Sequence, residues 1–96
     1  MKRGRSFFVE NLGVRLVKNN LEHSRFTVVV SLKISKKAVD RNRLKRKIRE
    51  ITRLVILPKV KPGFDGVINT RKGLLELSFD DLEKNVVSLF KKARLI

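Results

Sequence analysis

At 96 residues, 42% of them apolar, the chain is of a length at which one hydrophobic core is the rule, so residues 1–96 are read as a single domain. Its 24 Lys and Arg against 9 Asp and Glu leave a net charge of +15, which repels itself and calls for a polyanionic partner, nucleic acid first. The absence of cysteine excludes disulfides, thiolate metal sites and thiol nucleophiles, a lone His23 excludes a histidine-based metal site, and no apolar run approaches the ~20 residues of a membrane span.

The opening MKRGRSFFVE is basic but lacks the apolar stretch of a secretory signal, so a cytoplasmic, reducing setting is expected. Residues 12–17 (LGVRLV) and 25–31 (RFTVVVS) are rich in β-branched side chains and flank the polar NNLEHS, which predicts an antiparallel pair joined by a turn, with the first strand free to begin as early as Phe7. A helix is predicted from Lys36 or Ala38 to Leu57, with Ser35 or Asp40 as its cap. Pro58 stops it, having no N–H and disfavouring helical geometry just before itself. KVKPG reads as a loop, DGVINT (65–70) as a short buried strand and RKG as the next turn.

The last element is a helix opened by Ser78, three residues before Asp81 in a capping-box-like spacing, with Leu82, Val86, Leu89 and Ala93 on one face. Asp80, Asp81 and Glu83 in its first turn and Lys91, Lys92 and Arg94 in its last suit the helix dipole. Strands followed by helix, strand and helix make a small α+β sandwich, the helices covering one sheet face and leaving the other for a ligand.

The first helix carries the chemistry. In AVDRNRLKRKIREI, Leu44, Ile48, Ile51 and Val55 fall within a stripe roughly 60° wide on the helical wheel, while Asn42, Lys45, Arg46, Arg49 and Arg53 gather opposite them and Arg41 and Arg43 flank the group. Charge runs usually form solvated faces of mixed sign, but from Lys33 to Arg53 ten basic residues meet only Asp40 and Glu50. Like charges four apart, such as Arg41 with Lys45 and Arg49 with Arg53, each weaken an isolated helix by ~0.2–0.5 kcal/mol, which fits a binding role better than a stabilising one. Arginine's planar fork holds phosphate oxygens bidentately and stacks on bases. Asn42 adds a donor and an acceptor that a base edge or 2′-hydroxyl could use, as could nearby backbone. Charge alone does not separate RNA from DNA.

The stretch AVDRNRLKRKIRE resembles the arginine–asparagine–arginine signature helix of the protein component of bacterial ribonuclease P. VSLKISKK stands in place of that family's Ser-Lys-Lys-rich lead-in, one residue longer between Ser31 and Ala38 than the commonest form. PGFDGVI and ELSFDDLEKNVVSLFKKARLI are similar to its later segments, so that residues 24–96 are covered. The resemblance implies an α/β sandwich with a four-stranded mixed sheet and a left-handed βαβ crossover, against the general right-handed rule. It implies a role beside the catalytic RNA of a tRNA 5′-maturation endoribonuclease, binding that RNA and the 5′ leader of precursor tRNA, with one protein per RNA. Arg41, Asn42, Arg43, Lys45, Arg46 and Arg49 would meet the catalytic RNA, with Arg53, Lys33, Lys36 and Lys37 extending the contact. The chain itself would hold no catalytic residue and no metal, the Mg²⁺ belonging to the RNA. The family's N-terminal helix is not expected in this sequence, whose opening aligns best with the segment after it, as a naturally short member or a chain begun at an internal start would. Phe7 and Phe8 are accordingly expected to be strand or core residues, not leader contacts.

The competing readings differ in what they require. An autonomous nuclease needs converging carboxylates for Mg²⁺, and Asp80, Asp81 and Glu83 are accounted for by the helix dipole. A DNA-binding regulator would bring dimer symmetry or a helix-turn-helix. A ribosomal or other structural RNA-binding protein shares the charge and fold class, and is separated only by the signature helix.

Overall fold

A computed structural model describes residues 4–71 and 73–96; Met1–Arg3 of the basic opening and Lys72 of the RKG turn lie outside the described residues. Four strands, β1 (Arg5–Val9), β2 (Leu12–Lys18), β3 (Arg25–Val29) and β4 (Phe64–Thr70), form one mixed sheet in the order β1-β2-β4-β3. β1 and β4 each run antiparallel to β2, and β3 runs parallel to β4. Two helices, α1 (Ala38–Ile51) and α2 (Phe79–Lys92), complete the α+β fold, with α1 lying in the crossover from β3 to β4.

The expected pairing of 12–17 with 25–31 is not formed. β4 stands between these strands, antiparallel to one and parallel to the other. The NNLEHS segment crosses the start of β4 instead of closing a hairpin, and polar side chains hold it there. The Asn19 N–H donates to the Gly63 carbonyl (3.0 Å), and the Ser24 hydroxyl donates to the Lys61 carbonyl (2.6 Å) while accepting from the Phe64 N–H (3.1 Å). The true hairpin lies earlier. Residues from Arg5 form a separate strand, turned at Glu10 and Asn11, so that Val9 faces Leu12 and Phe7 faces Val14.

Alternation along the strands divides the two sheet faces. Leu12, Val14, Leu16, Val28 and Ile68 are buried beneath the helices, and cross-strand register places Val14 and Val28 on either side of Ile68. Leu82, Val86, Leu89 and Ala93 of the α2 stripe are all buried, with Phe90 beside them. The Phe90 ring meets Phe26 edge-on, centroids 5.0 Å apart. Gly66 makes this packing possible, since a Cβ there would sit 2.5 Å from the Phe26 ring. Each fully buried Leu, Ile or Phe contributes about 1.5–3 kcal/mol of transfer free energy.

Both helix ends follow local chemistry. The Asp81 N–H donates to the Ser78 hydroxyl at 3.1 Å, the expected cap of α2. Neither Ser35 nor Asp40 caps α1 as expected: Lys37 is its N-cap and offers no side-chain bond. Ser35 instead accepts the Lys37 N–H and donates to Asp40, both at 3.1 Å, which shapes the lead-in loop. At its far end α1 passes into a π-helical turn, Thr52–Ile56, where the Leu57 N–H reaches back to the Thr52 carbonyl. The widened turn rotates the apolar stripe, so that Ile56 is fully buried and Val55, expected in the stripe, is only partly so.

Candidate nucleic-acid interface

Burial of Leu44, Ile48 and Ile51 fixes the rotation of α1 about its axis. Everything about 180° away must then face out. Asn42, Lys45, Arg46, Arg49 and Arg53, the five residues expected to gather, line one side of a groove of about 710 Å³ between α1 and β3. Ser24, Arg25, Phe26 and Val28 form its other wall and part of its floor, closed below by Thr52 and Leu57. The groove combines an apolar floor with a rim of four arginines, a lysine and an amide, and among the described residues Glu50 is its one carboxylate.

The site residues are not equivalent. Asn42 is exposed, and among the described residues its amide has no hydrogen-bond partner, leaving it free for an incoming group. Arg53 is held by both carboxylate oxygens of Glu50 at 3.0 Å, which offsets part of its charge. Arg41 turns back along the lead-in, its guanidinium donating to the Ser35 carbonyl at 2.8 Å. Arg43 falls on the opposite flank, in a separate depression with Asp40 and Lys47. Lys33, Lys36 and Lys37 are exposed on the loop before α1.

Arg25 is a groove residue that the helix-centred reading missed; it stands at the first position of β3, at the sheet end where the groove opens. It makes a two-pronged bond to Asp65 (Nε to Oδ1 2.9 Å, Nη2 to Oδ2 2.8 Å), and the Asn19 amide donates to the same carboxylate at 2.8 Å. The Arg25 bonds, then that of Asn19, lower the Asp65 pKa to about 2.

The sheet face turned away from the helices carries Arg15, Thr27 and Asn69, with Phe8, Val17 and Val29 exposed among them. Phe8 is a strand residue, as expected, but not a core one. Its ring lies over Gly13, where a Cβ would come within 2.6 Å, and the Arg71 guanidinium stands 4.5 Å from the ring centroid. Phe7 turns the other way, partly buried against the core. Among the described residues no three His, Asp or Glu side chains gather as a metal ion would require, and no helix is long and apolar enough to cross a membrane.

This arrangement has relatives. The ribonuclease P family model matches residues 1–94. The chain belongs to the ribonuclease P protein family. It is 38% identical over 91 residues to the ribonuclease P protein component of Clostridioides difficile, covering 95% of this chain and 79% of that one. Against the component from Microcystis aeruginosa it is 42% identical over 73 residues, 76% of this chain and 60% of that one. Among solved structures, the ribonuclease P protein of Thermotoga maritima, in complex with 1-(4-fluorophenyl)-2-thiourea, superposes with a TM-score of 0.84 at 37% identity, covering 95% of this chain and 87% of that one. A Staphylococcus aureus ribonuclease P protein mutant described as defective in mRNA degradation superposes at 0.88 with 25% identity, covering 99% and 79%. The family is the protein subunit of ribonuclease P, a tRNA-processing ribonucleoprotein, and its fold is the mixed four-stranded sheet with helices found here.

Proposed function

We propose that the chain acts in the cytoplasm as the protein subunit of ribonuclease P, holding the catalytic RNA on the outward face of α1 and the 5′ leader of precursor tRNA on the open sheet face, one protein to each RNA. The observation that carries this reading is the pairing of opposites on α1: an apolar buried stripe, Leu44, Ile48 and Ile51, locks the helix, and a face of cations and one amide, with Glu50 paired to Arg53, is thereby presented to solvent. Arg46, Arg49 and Arg43 supply forked donors to phosphate oxygens, Lys45 and the lead-in Lys33, Lys36 and Lys37 supply point charges, and Asn42 supplies the uncharged donor and acceptor that a base edge or ribose hydroxyl requires. Arg53 and Arg41, already bonded within the chain, contribute charge at the margins.

The leader reading is supported by the open face. Exposed Phe8 with Arg71 against it offers ring and guanidinium planes on which unpaired bases stack without regard to sequence, and Arg15 adds a cation further along the same face. Tethering the leader there raises its local concentration at the ribozyme, and cationic side chains replace part of the counterion screening that Mg²⁺ otherwise provides. Hydrolysis, with its metal, belongs in this reading to the RNA. The protein's part is binding and placement. Multiple-turnover cleavage of a precursor tRNA by ribonuclease P RNA at low Mg²⁺, with and without the chain, is the test. Stimulation by the chain, which is inert alone, is expected; no stimulation, or cleavage by the chain unaided, overturns the reading.

A further inference from the structure

We propose that a second groove, at the C-terminal end of α2, takes a single-stranded segment of the same ribonuclease P RNA that α1 holds, so that one RNA strand is gripped across the whole end of the sheet. This rests on the reading of α1 given above. The groove has a volume of about 890 Å³, within the range of ligand sites, and its floor is apolar and aromatic: Phe7, Leu16, Phe64 and Leu95. Its rim is Arg5 from β1, Lys18 from β2, Lys61 from the loop before β4, Lys92 from α2 and Arg94 just beyond it. Among the described residues no carboxylate lines it. Five cations drawn from four segments of chain repel one another, and an apolar floor gives a bare phosphate nothing to rest on. A polynucleotide satisfies both, with phosphates on the rim and a base on the rings. Arg5 already shows the geometry, its guanidinium 5.6 Å from the Phe7 centroid.

Two further observations point the same way. α2 ends in a Schellman motif, the Leu95 N–H bonding the Phe90 carbonyl and the Arg94 N–H that of Lys91, both at 3.0 Å, and the residue at its left-handed position is Arg94, at φ 61°. Glycine is at ease there and a side chain is strained, yet the residue present puts a cation on the rim. The two grooves also share a wall. Ser24 lines the first and bonds the Lys61 carbonyl and the Phe64 N–H, while Lys61 and Phe64 line the second. From β3 to β1 the sheet end spans three strand spacings, roughly 14 Å, and a strand leaving the α1 groove enters the second directly.

The test is the double variant Arg94→Gly/Lys61→Ala in the full chain. Glycine keeps the α2 terminus, so the melting temperature is expected to hold or rise, and Lys92 is left in place because it bonds the Phe8 carbonyl at 2.7 Å. Binding of a ribonuclease P RNA transcript is measured across a salt series with hydroxyl-radical footprinting. Loss of two contacts flattens the log–log salt slope by about 1.4 and removes a protected patch distinct from the one lost in Arg46→Glu. Lys84→Ala, an exposed α2 cation outside the groove, leaves the slope unchanged. A wild-type slope and footprint in the double variant, with Arg46→Glu still weakened, overturns this proposal alone; an Arg46→Glu variant that also binds normally overturns the reading beneath it. A double variant impaired only toward precursor with a long leader, or one altered only in binding an acidic protein, likewise overturns it.

Discussion

Reversing the charge of Arg46 strikes the middle of the α1 face while leaving the core untouched. Arg46 is exposed, it has no carboxylate partner among the described residues, and its neighbours on the buried side, Leu44 and Ile48, are 3% and 0% exposed. Six cations of α1 and the turn after it are assigned to the RNA: Lys45, Arg46, Arg49 and Arg53 in the groove, with Arg41 and Arg43 on its flanks. If each neutralises one phosphate, log affinity falls with log salt at a slope of about −4 to −5, so binding weakens steeply from low to moderate salt. Removing one contact makes the slope shallower by about 0.7–0.9, and losing a charge-assisted hydrogen bond costs about 1.5–3 kcal/mol. Arg46→Glu is therefore expected to weaken binding of ribonuclease P RNA roughly tenfold to a hundredfold, with the added negative charge deepening the loss. Fluorescence anisotropy of labelled RNA at four or five salt concentrations, beside a circular dichroism melt, reads both quantities. Wild-type affinity and slope in a folded variant would refute the assigned face, and a collapsed fold would mean that Arg46 does not point outward.

The remaining expectations concern the scaffold that aims this face. Ile48→Ala empties a fully buried position between α1 and the sheet and should destabilise the chain by about 2–5 kcal/mol in urea unfolding; a change below about 1 would contradict the packing described. Ser78→Ala removes the α2 cap and should lower stability by about 1 kcal/mol, whereas an unaltered midpoint would mean the bond to Asp81 is not made in solution. Asp65 has its pKa depressed from 3.8 to about 2 by Arg25 and Asn19, so its contribution is fully present above pH 4 and fades as the pH falls through about 2. The stability difference between wild type and Asp65→Asn should shrink over that window, and a difference constant down to pH 2 would show that the ion pair is not what holds the carboxylate.

What the sequence disclosed and what it withheld divide along contact range. α1 and α2 were legible because a helix writes its buried stripe and its cap within a few neighbouring residues, as at Leu82–Ala93 and Ser78. The cationic groove wall was legible for the same reason. Sheet order was not, because nothing local in LGVRLV or RFTVVVS tells either strand that β4, some forty residues further on, will lie between them. The π turn at Thr52–Ile56 escaped as well, since a fixed 100° step cannot register a residue inserted into the turn. Arg25, Phe8 and the groove around Arg94 depend on such long-range placement, which is why the site read from sequence was one helix and the site in the structure spans the sheet end.

Contact between the outward side of α1 and ribonuclease P RNA can be read directly. The chain has no cysteine, so a single one introduced at Asn42 carries a tethered cleavage reagent uniquely, with a second variant at Lys84 on α2 as its counterpart. Strand scission in the assembled complex is expected from position 42, confined to a few sites, with little from position 84. Equal scission from both, or none from position 42 in a complex of normal affinity, would contradict that contact.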